Sequence, residues 1–248
     1  MMRQKIRKTI LIISFLLFPV TIWYFSPYLI IRAASEHIMN GSFIVFVLML
    51  VLSMFFGRAW CGYLCPAGGL QECLAMCNDN PVKGGRRNRI KYVIWVIWII
   101  AVIVTFILGK GKVTVNPFYM TDRGISVSQI YDYVIYYGVV LILVLPALIH
   151  GKRATCHYIC WMAPFMVIGS SLGRVLHLPQ LHIEAEKTDC VSCGRCSKVC
   201  PMGLDVKQMV AEEKNQSCTE CIQCGACVDA CPKKVLKYKI VWKTNSRS

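Results

Sequence analysis

Two short stretches of the sequence carry a pair of cysteines in the same frame. Residues 58–67 read RAWCGYLCPA, and residues 153–160 read RATCHYIC. In both stretches an Arg-Ala pair comes first, three residues separate the cysteines, and the middle residue of the three is tyrosine. An isolated CxxxC pair is commonly explained by packing, because cysteine behaves as a small apolar residue. The repetition favours a site for zinc or an iron–sulfur cluster held by the CxxxC set: Cys61, Cys65, Cys156 and Cys160.

The carboxy-terminal region contains two longer cysteine runs. Residues 190–201 read CVSCGRCSKVCP, and residues 221–232 read CIQCGACVDACP. Both follow the C-x2-C-x2-C-x3-C-P spacing of bacterial two-cluster ferredoxins, in which the fourth cysteine of each run ligates the other cluster. The spacing predicts one [4Fe–4S] cluster on the first ferredoxin set: Cys190, Cys193, Cys196 and Cys231. It predicts the other on the second ferredoxin set: Cys221, Cys224, Cys227 and Cys200.

Three cysteines remain outside these sets. Cys73 and Cys77 form a third i, i+4 pair, so a local alternative site would use Cys61, Cys65, Cys73 and Cys77. We favour the CxxxC set over this alternative because only the CxxxC set explains the repetition. Cys218 is predicted to be unligated, since the proline after Cys231 supports the register given above.

The distribution of apolar residues predicts four transmembrane helices. The chain of 248 residues is 56% hydrophobic and 17% charged, with a mean hydropathy of +0.50. The apolar residues fall into four blocks, 9–31, 42–60, 92–109 and 131–149, whereas residues beyond 180 are mostly polar, charged or cysteine. Each block is close to the roughly 20 residues that a helix needs to cross a bilayer.

Basic residues predict the orientation of these helices. They flank one side of the blocks: Arg3, Lys5, Arg7, Lys8, Lys83, Arg86, Arg87, Arg89, Lys91, Lys152 and Arg153. The positive-inside rule then places both termini in the cytoplasm of a multi-pass protein of the inner (cytoplasmic) membrane. The net charge of +15 would also suit nucleic acid, but basic residues beside membrane segments favour membrane lipid, and no nucleic-acid partner is expected.

The combined prediction is a membrane all-α four-helix bundle followed by an α+β domain. Residues 1–160 would form two duplicated helical hairpins, related by a pseudo-twofold axis that brings the CxxxC pairs together. Residues 161–180 would form an interfacial connector. Residues 181–248 would form a cytoplasmic bacterial-type 2[4Fe–4S] ferredoxin domain, with strands at 181–184 and 235–242.

This arrangement resembles the membrane polyferredoxins of the NapH/NosR type, over residues 9 to about 240. These 4Fe–4S binding membrane proteins carry CxxxCP motifs before a two-cluster ferredoxin domain. The resemblance implies electron transfer between a quinone pool and redox proteins, with a quinone as a further cofactor. The iron–sulfur tail favours a third [4Fe–4S] cluster at the repeated CxxxC pairs. The chain departs from the family at Trp161, which follows Cys160 where a proline is typical.

The predicted function is that of a membrane-anchored iron–sulfur electron-transfer protein, a candidate quinol dehydrogenase-type component. Electrons would pass between a quinone or membrane partner and a redox protein, on the cytoplasmic side or in the membrane. The alternative is a cluster-based redox sensor, or a maturation or reductase factor for a metalloenzyme. Motifs such as GxGxxG for nucleotides and HExxH for metal-dependent hydrolysis do not occur in the sequence.

Overall fold

The computed structural model describes residues 2–82, 85–109, 111–186, 189–212 and 218–242. Lys83, one of the basic residues that predict the orientation, lies outside these ranges. Residues 187–188, 213–217 and 243–248 of the predicted ferredoxin domain also lie outside them. The α-helices of the described residues are α1 (Met2–Leu16), α2 (Phe18–Thr21), α3 (Pro27–Ser35), α4 (Gly41–Phe56), α5 (Ala59–Tyr63), α6 (Pro66–Leu74), α7 (Ile90–Leu108), α8 (Ile130–His150), α9 (Ala154–Tyr158), α10 (Met162–Val175), α11 (Arg195–Lys198), α12 (Val206–Ala211) and α13 (Ala226–Ala230). Two 3-10 helices cover Ile22–Phe25 and Gly85–Arg89, and the strands are β1 (Ile38–Asn40), β2 (Thr114–Asn116), β3 (Gln180–Ala185) and β4 (Leu236–Val241).

Two of the described helices are long and apolar enough to cross a membrane by themselves. They cover Arg87–Leu108 and Ile130–His150, whereas Met2–Leu16 and Phe18–Phe25 reach that length only together and are bent by 60°. α4 is apolar but has only 16 residues. Pro19 lies in the broken region and Pro27 begins α3, where a missing N–H and a fixed φ interrupt a continuous helix. The four predicted blocks thus correspond to two full-length helices, a bent pair and a shorter helix, and the four-helix membrane bundle stays a prediction.

The last helix of each repeat (α1 to α6 and α7 to α10) packs on both repeats. After α4 the first repeat continues into the short α5 and then α6, and after α8 the second repeat continues into α9 and α10. α6 packs against α1 of its own repeat and α8 of the other, and α10 packs against α7 of its own repeat and α4 of the other. Each CxxxC segment therefore lies between the two repeats, and the helix that follows it packs on both of them.

Backbone chemistry explains the sharp turns at these segments. Cys65 is extended, with φ −70° and ψ 120°, because Pro66 at the first position of α6 disfavours a helical residue before it. At the end of α8, Gly151 has φ 109°, and a Cβ there would lie 2.2 Å from the carbonyl oxygen of Asn80. Glycine is thus required for the turn that leads from α8 into the second CxxxC segment.

The connector between the membrane part and the ferredoxin domain contains α10. A Cβ at Gly169 would lie 2.5 Å from the carbonyl oxygen of Leu50, and one at Gly173 would lie 2.3 Å from that of Met54. These two glycines allow the backbones of α10 and α4 to approach closely, as small residues do between membrane helices. The interfacial position of this connector stays a prediction. The structure shows in addition that α10 packs on α4.

The predicted strands of the ferredoxin domain are confirmed. β3 and β4 form an antiparallel pair, with Gln180 opposite Val241 and Ala185 opposite Leu236. Between them lie the short helices α11, α12 and α13. A parallel two-stranded sheet of β1 and β2 was not predicted, because segments of three residues carry too little periodicity to be recognised.

Candidate iron–sulfur sites

The cysteines of the CxxxC set lie around one cavity where the two repeats meet. All four line a cavity of about 640 Å³. Three are buried, and Cys160 is partly buried. α5 carries Cys61 and α9 carries Cys156, and the second cysteine of each pair follows the short helix. The structure thus brings together the side chains that the repetition predicts to share a site, while their role as ligands stays a prediction.

The alternative local set is not brought together in the same way. Cys73 is partly buried and Cys77 is exposed, and neither occurs among the described residues that line the cavity. Both follow the middle of α6 as it leads away from Cys65. Their positions favour the CxxxC set over the local set.

The spacing of the thiols suits a cluster better than a single ion. Within the described ranges, no three histidine, cysteine, aspartate or glutamate side chains are close enough to hold one metal ion. A tetrahedral zinc site needs four sulfurs at about 2.3 Å from the same ion. In a [4Fe–4S] cluster each thiolate binds a different iron, so four cysteines around a cavity match it more closely.

Two buried arginines place positive charge beside the CxxxC set. Arg58 and Arg153 precede the first cysteine of their repeat by three residues, and their side chains are 2% and 1% exposed. Among the described residues, Nε and Nη2 of Arg58 and Nε of Arg153 are buried donors that meet no acceptor. A four-iron cluster with four thiolates is anionic, so uncommitted guanidinium donors fit such a group.

Glu72 on α6 connects the second of these arginines to the first helix. Its Oε1 atom lies 2.9 Å from Nη1 of Arg7 and 2.9 Å from Nη2 of Arg153. Arg153 also donates from Nη1 to the carbonyl oxygen of Cys61 at 3.0 Å. Burial opposes ionisation of the Glu72 carboxyl, but Arg153 and Arg7 outweigh it and lower its pKa to about 2. The ionised carboxylate holds Arg153 beside both CxxxC pairs.

Glu220 of the ferredoxin domain plays the corresponding role for the other arginine. Its carboxylate lies 2.9 Å from Nη1 of Arg58 and 2.5 Å from Nζ of Lys91. Burial raises the pKa of this carboxyl, but Arg58 and Lys91 outweigh burial, so the pKa is lowered overall. His157 lies nearby and donates from Nε2 to the carbonyl oxygen of Met202 at 3.0 Å. Buried charge thus joins the ferredoxin domain to both repeats.

The first ferredoxin set lines a small cavity of its own. All four predicted cysteines line it, and Cys193 is exposed. Gly194 has φ 71° and Ser192 has φ 52°, and left-handed residues of this kind turn backbone N–H groups into a concave anion site. Basic side chains also line the cavity: Arg195, Lys207 and Lys233. The geometry fits an anionic cluster close to solvent.

The second ferredoxin set lines a separate small cavity. Its four predicted cysteines line this cavity together with Cys218, which the sequence predicted to be unligated. Gln223 and Gly225 repeat the left-handed conformations of the first set, with φ 53° and 69°. Two pseudo-equivalent loops thus present cysteines and backbone N–H groups in the same way. The position of Cys218 makes it a neighbour of this set, while its lack of a ligand role stays a prediction.

The second set lies directly against the CxxxC segments. The carbonyl oxygen of Cys224 accepts a hydrogen bond from Nε2 of Gln4 at 2.9 Å and lies 3.5 Å from the Tyr63 hydroxyl. A Cβ at Gly62 would lie 2.4 Å from the carbonyl oxygen of Ile222. In the sequence Gly62 follows Cys61, and Ile222 follows Cys221. Two predicted ligand segments are therefore in backbone contact.

Substitution of Gly62 by alanine is expected to weaken this contact. The added Cβ would overlap a backbone oxygen that cannot rotate away, so we expect a loss of about 1–3 kcal/mol in unfolding free energy. The measurement is thermal unfolding of the purified protein in detergent. Gly138→Ala is the matched control, because a Cβ at Gly138 would meet no described atom within 4 Å. Equal unfolding temperatures for the two variants would contradict the contact.

Several basic residues that the sequence assigned to lipid form ion pairs within the chain. Those of the described residues are Arg3, Arg7, Lys91, Lys152 and Arg153. Arg3 binds Asp229, and its guanidinium carbon lies 4.8 Å from the ring centre of Tyr238. The acidic residues next to predicted ligands were a signal that could have found some of these pairs: Glu72 precedes Cys73, Glu220 precedes Cys221 and Asp229 lies two residues before Cys231.

Comparisons with known proteins match both halves of the chain. Residues 41–87 and 131–179, each with one CxxxC pair, match the family described as "4Fe-4S binding domain". Residues 182–232 match the family described as "4Fe-4S dicluster domain". The chain is 21% identical over 211 residues to the "Putative electron transport protein YccM" of Escherichia coli (strain K12). The alignment covers 77% of this chain and 54% of that protein, so the chain spans about half the length of this relative. No solved structure matches the chain.

These matches bear on the predicted family and cofactors. The chain contains 4Fe–4S binding domains, and its relative supports a role in iron–sulfur electron transfer. This confirms the iron–sulfur and electron-transport part of the prediction. The number of clusters, the quinone and the NapH/NosR type stay predictions.

Proposed function

We propose that this iron–sulfur electron-transfer protein passes electrons between a membrane quinone and a redox protein. The observation that carries the proposal is the cavity of about 640 Å³ that the four cysteines of the CxxxC set share. We assign a third [4Fe–4S] cluster to this set and one cluster to each ferredoxin set. When bound, the clusters supply one-electron transfer between the cavity and the surface of the ferredoxin domain.

The remainder of the cavity has the character of a site for a lipid-soluble ring. Most of its lining is apolar, with ring side chains that include Phe18, Trp23 and Phe25. The whole cavity, at about 640 Å³, lies within the roughly 300–1,000 Å³ typical of small-molecule sites. Asp132 lines it as well and lies near the start of α8, whereas the second CxxxC segment follows the end of that helix. The cavity therefore extends along much of a helix about 30 Å long.

Residues of the chain itself support electron transfer between the cavity and the surface of the ferredoxin domain. Arg58 and Arg153 hold positive charge beside the CxxxC set, and Glu72 and Glu220 fix their positions. The Gly62 contact brings the second ferredoxin set against the CxxxC set. Oxidation of a hydroquinone to a quinone releases two electrons and two protons, so two single-electron steps through this path would complete one oxidation.

The redox partner is proposed to bind at the first ferredoxin set. Cys193 is the exposed member of that set, and Arg195, Lys207 and Lys233 line its cavity. A basic surface favours a partner with an acidic one and increases its association rate. Following the lysine and arginine asymmetry of the sequence, we place this domain on the cytoplasmic side of the inner membrane.

Filling the cavity is expected to slow electron exchange with a quinone. Val139 lines the cavity from α8, so Val139→Trp should slow reoxidation of the dithionite-reduced protein by duroquinone at least about tenfold by excluding the ring. The measurement is stopped-flow recovery of cluster absorbance in proteoliposomes. EPR spectra of the reduced variant should retain all of its cluster signals.

The matched control is Val134→Trp, because Val134 lies on the same helix and is 68% exposed. That variant should react at the rate of the wild type. If Val139→Trp also reacts at that rate, quinone does not use this cavity, and the proposal is wrong.

A further inference from the structure

One polar side chain of the cavity differs from the others in its hydrogen bonding. Gln71 on α6 lines the cavity and is 0% exposed. Burying an amide is costly unless each of its polar atoms has a partner. Its nitrogen has partners on two other elements, whereas its oxygen, Oε1, meets no donor among the described residues.

The orientation of this amide follows from its neighbours. Nε2 of Gln71 donates to the carbonyl oxygen of Leu143 at 2.7 Å. A carbonyl can only accept, so the amide nitrogen and not the oxygen must face Leu143. The hydroxyl of Thr155 donates to the same carbonyl at 2.8 Å, which leaves it unable to donate its hydrogen to Gln71. The amide oxygen, Oε1, is therefore an acceptor that meets no donor in the described part of the chain.

Two other donors of the cavity wall, the Thr155 hydroxyl and the Trp161 ring nitrogen, are already used in hydrogen bonds to backbone carbonyls. The Thr155 hydrogen is used by Leu143, and Nε1 of Trp161 donates to the carbonyl oxygen of Phe25 at 3.3 Å. A buried acceptor without a donor favours a ligand that brings its own N–H or O–H group to this part of the cavity. A hydroquinone brings two O–H donors, whereas the quinone presents only carbonyl oxygens, which the Gln71 oxygen repels.

We propose that Gln71 accepts a hydrogen bond from a ring hydroxyl of the hydroquinone, so that the cavity binds the reduced form more tightly than the oxidised form. The inference rests on the proposed quinone site and adds the residue that distinguishes the two redox states. Gln71 lies beside Thr155, the residue before Cys156. The hydroxyl that loses its proton on oxidation would thus be held next to the CxxxC set.

The test compares the binding of duroquinol and duroquinone to the full chain. Anaerobic calorimetry in detergent uses duroquinol with the fully reduced protein and duroquinone with the oxidised protein, so that no electron is exchanged. A neutral buried hydrogen bond changes affinity by about fivefold. We expect wild-type protein to prefer duroquinol by about this factor and Gln71→Met to lose the preference while binding duroquinone as before. Thr155→Val should keep the preference, because it leaves Oε1 in place.

The outcomes separate this inference from the proposed function. Binding of both forms with equal affinity by the wild type, the result expected if a water molecule satisfies Gln71, would overturn the role of Gln71 and leave the quinone site intact. An equal loss of both ligands in Gln71→Met would do the same, because it would indicate a structural role. Binding of neither form to the wild type would overturn both.

Discussion

Replacing Cys156 by serine is expected to remove the same four-iron centre as replacing Cys61 by serine. Each repeat contributes two thiols to the shared cavity, and a [4Fe–4S] cluster requires four cysteine ligands. Loss of one ligand from either repeat should therefore abolish one centre. Iron per chain should fall from about twelve to about eight. The measurements are iron and sulfide analysis after anaerobic purification, and EPR spectra of the reduced variants.

Cys73→Ser and Cys77→Ser are the matched controls, because both residues follow the first pair without lining the cavity in the described structure. They should keep about twelve irons and all EPR signals. The reverse pattern, with Cys73 essential and Cys156 dispensable, would establish the local site. A wild-type value near eight, unchanged by Cys61→Ser, would mean that the CxxxC set holds no cluster.

The ferredoxin part was the most predictable, because ligand spacing along the chain determines it. A run such as CVSCGRCSKVCP gives three ligands to one cluster and the fourth to the other, and the predicted sets line two separate cavities. The two strands were also recognisable, since LHIE alternates apolar and polar residues and VLKYKIVW is rich in β-branched and aromatic residues. Short segments of sequence were therefore sufficient to predict both the ligand sets and the two strands.

The membrane part was predictable in its repetition but less so in its packing. Matching motifs indicated that Cys61 and Cys156 occupy equivalent positions, and the structure places both on one cavity. The packing of α10 of the second repeat on α4 of the first depends on close backbone contacts at Gly169 and Gly173. A glycine in a sequence does not identify the residue that will approach it, so this packing could not be inferred from composition.

The burial of charged side chains in ion pairs was the main feature that the sequence patterns did not predict. The positive-inside rule treats lysine and arginine near membrane ends as solvated, yet Lys91 is 0% and Arg7 is 2% exposed in ion pairs. Their partners, Glu220 and Glu72, lie 129 and 65 residues away along the chain. Pairing over such separations follows from the tertiary fold. The same residues can still orient the helices during insertion and later hold the finished structure together.

Substitution of Glu220 by glutamine is expected to destabilise the attachment of the ferredoxin domain to the membrane part. It leaves Arg58 and Lys91 buried without a countercharge, at side-chain exposures of 2% and 0%. Removing one partner of a buried pair costs about 3–5 kcal/mol, because the remaining charge stays desolvated. For a chain of this length that corresponds to a decrease in unfolding temperature on the order of 10 °C. Intrinsic fluorescence during heating in detergent measures it.

Glu186→Gln is the matched control, because Glu186 pairs with Lys237 where both side chains are more than 60% exposed. An exposed pair contributes at most about 1 kcal/mol, so this variant should unfold close to the wild type. The double variant Glu220→Gln/Lys91→Met should lose less stability than the sum of the two single variants, since it removes both members of one pair. Additive losses, or a Glu220→Gln variant as stable as Glu186→Gln, would show that buried charge does not hold the two parts together.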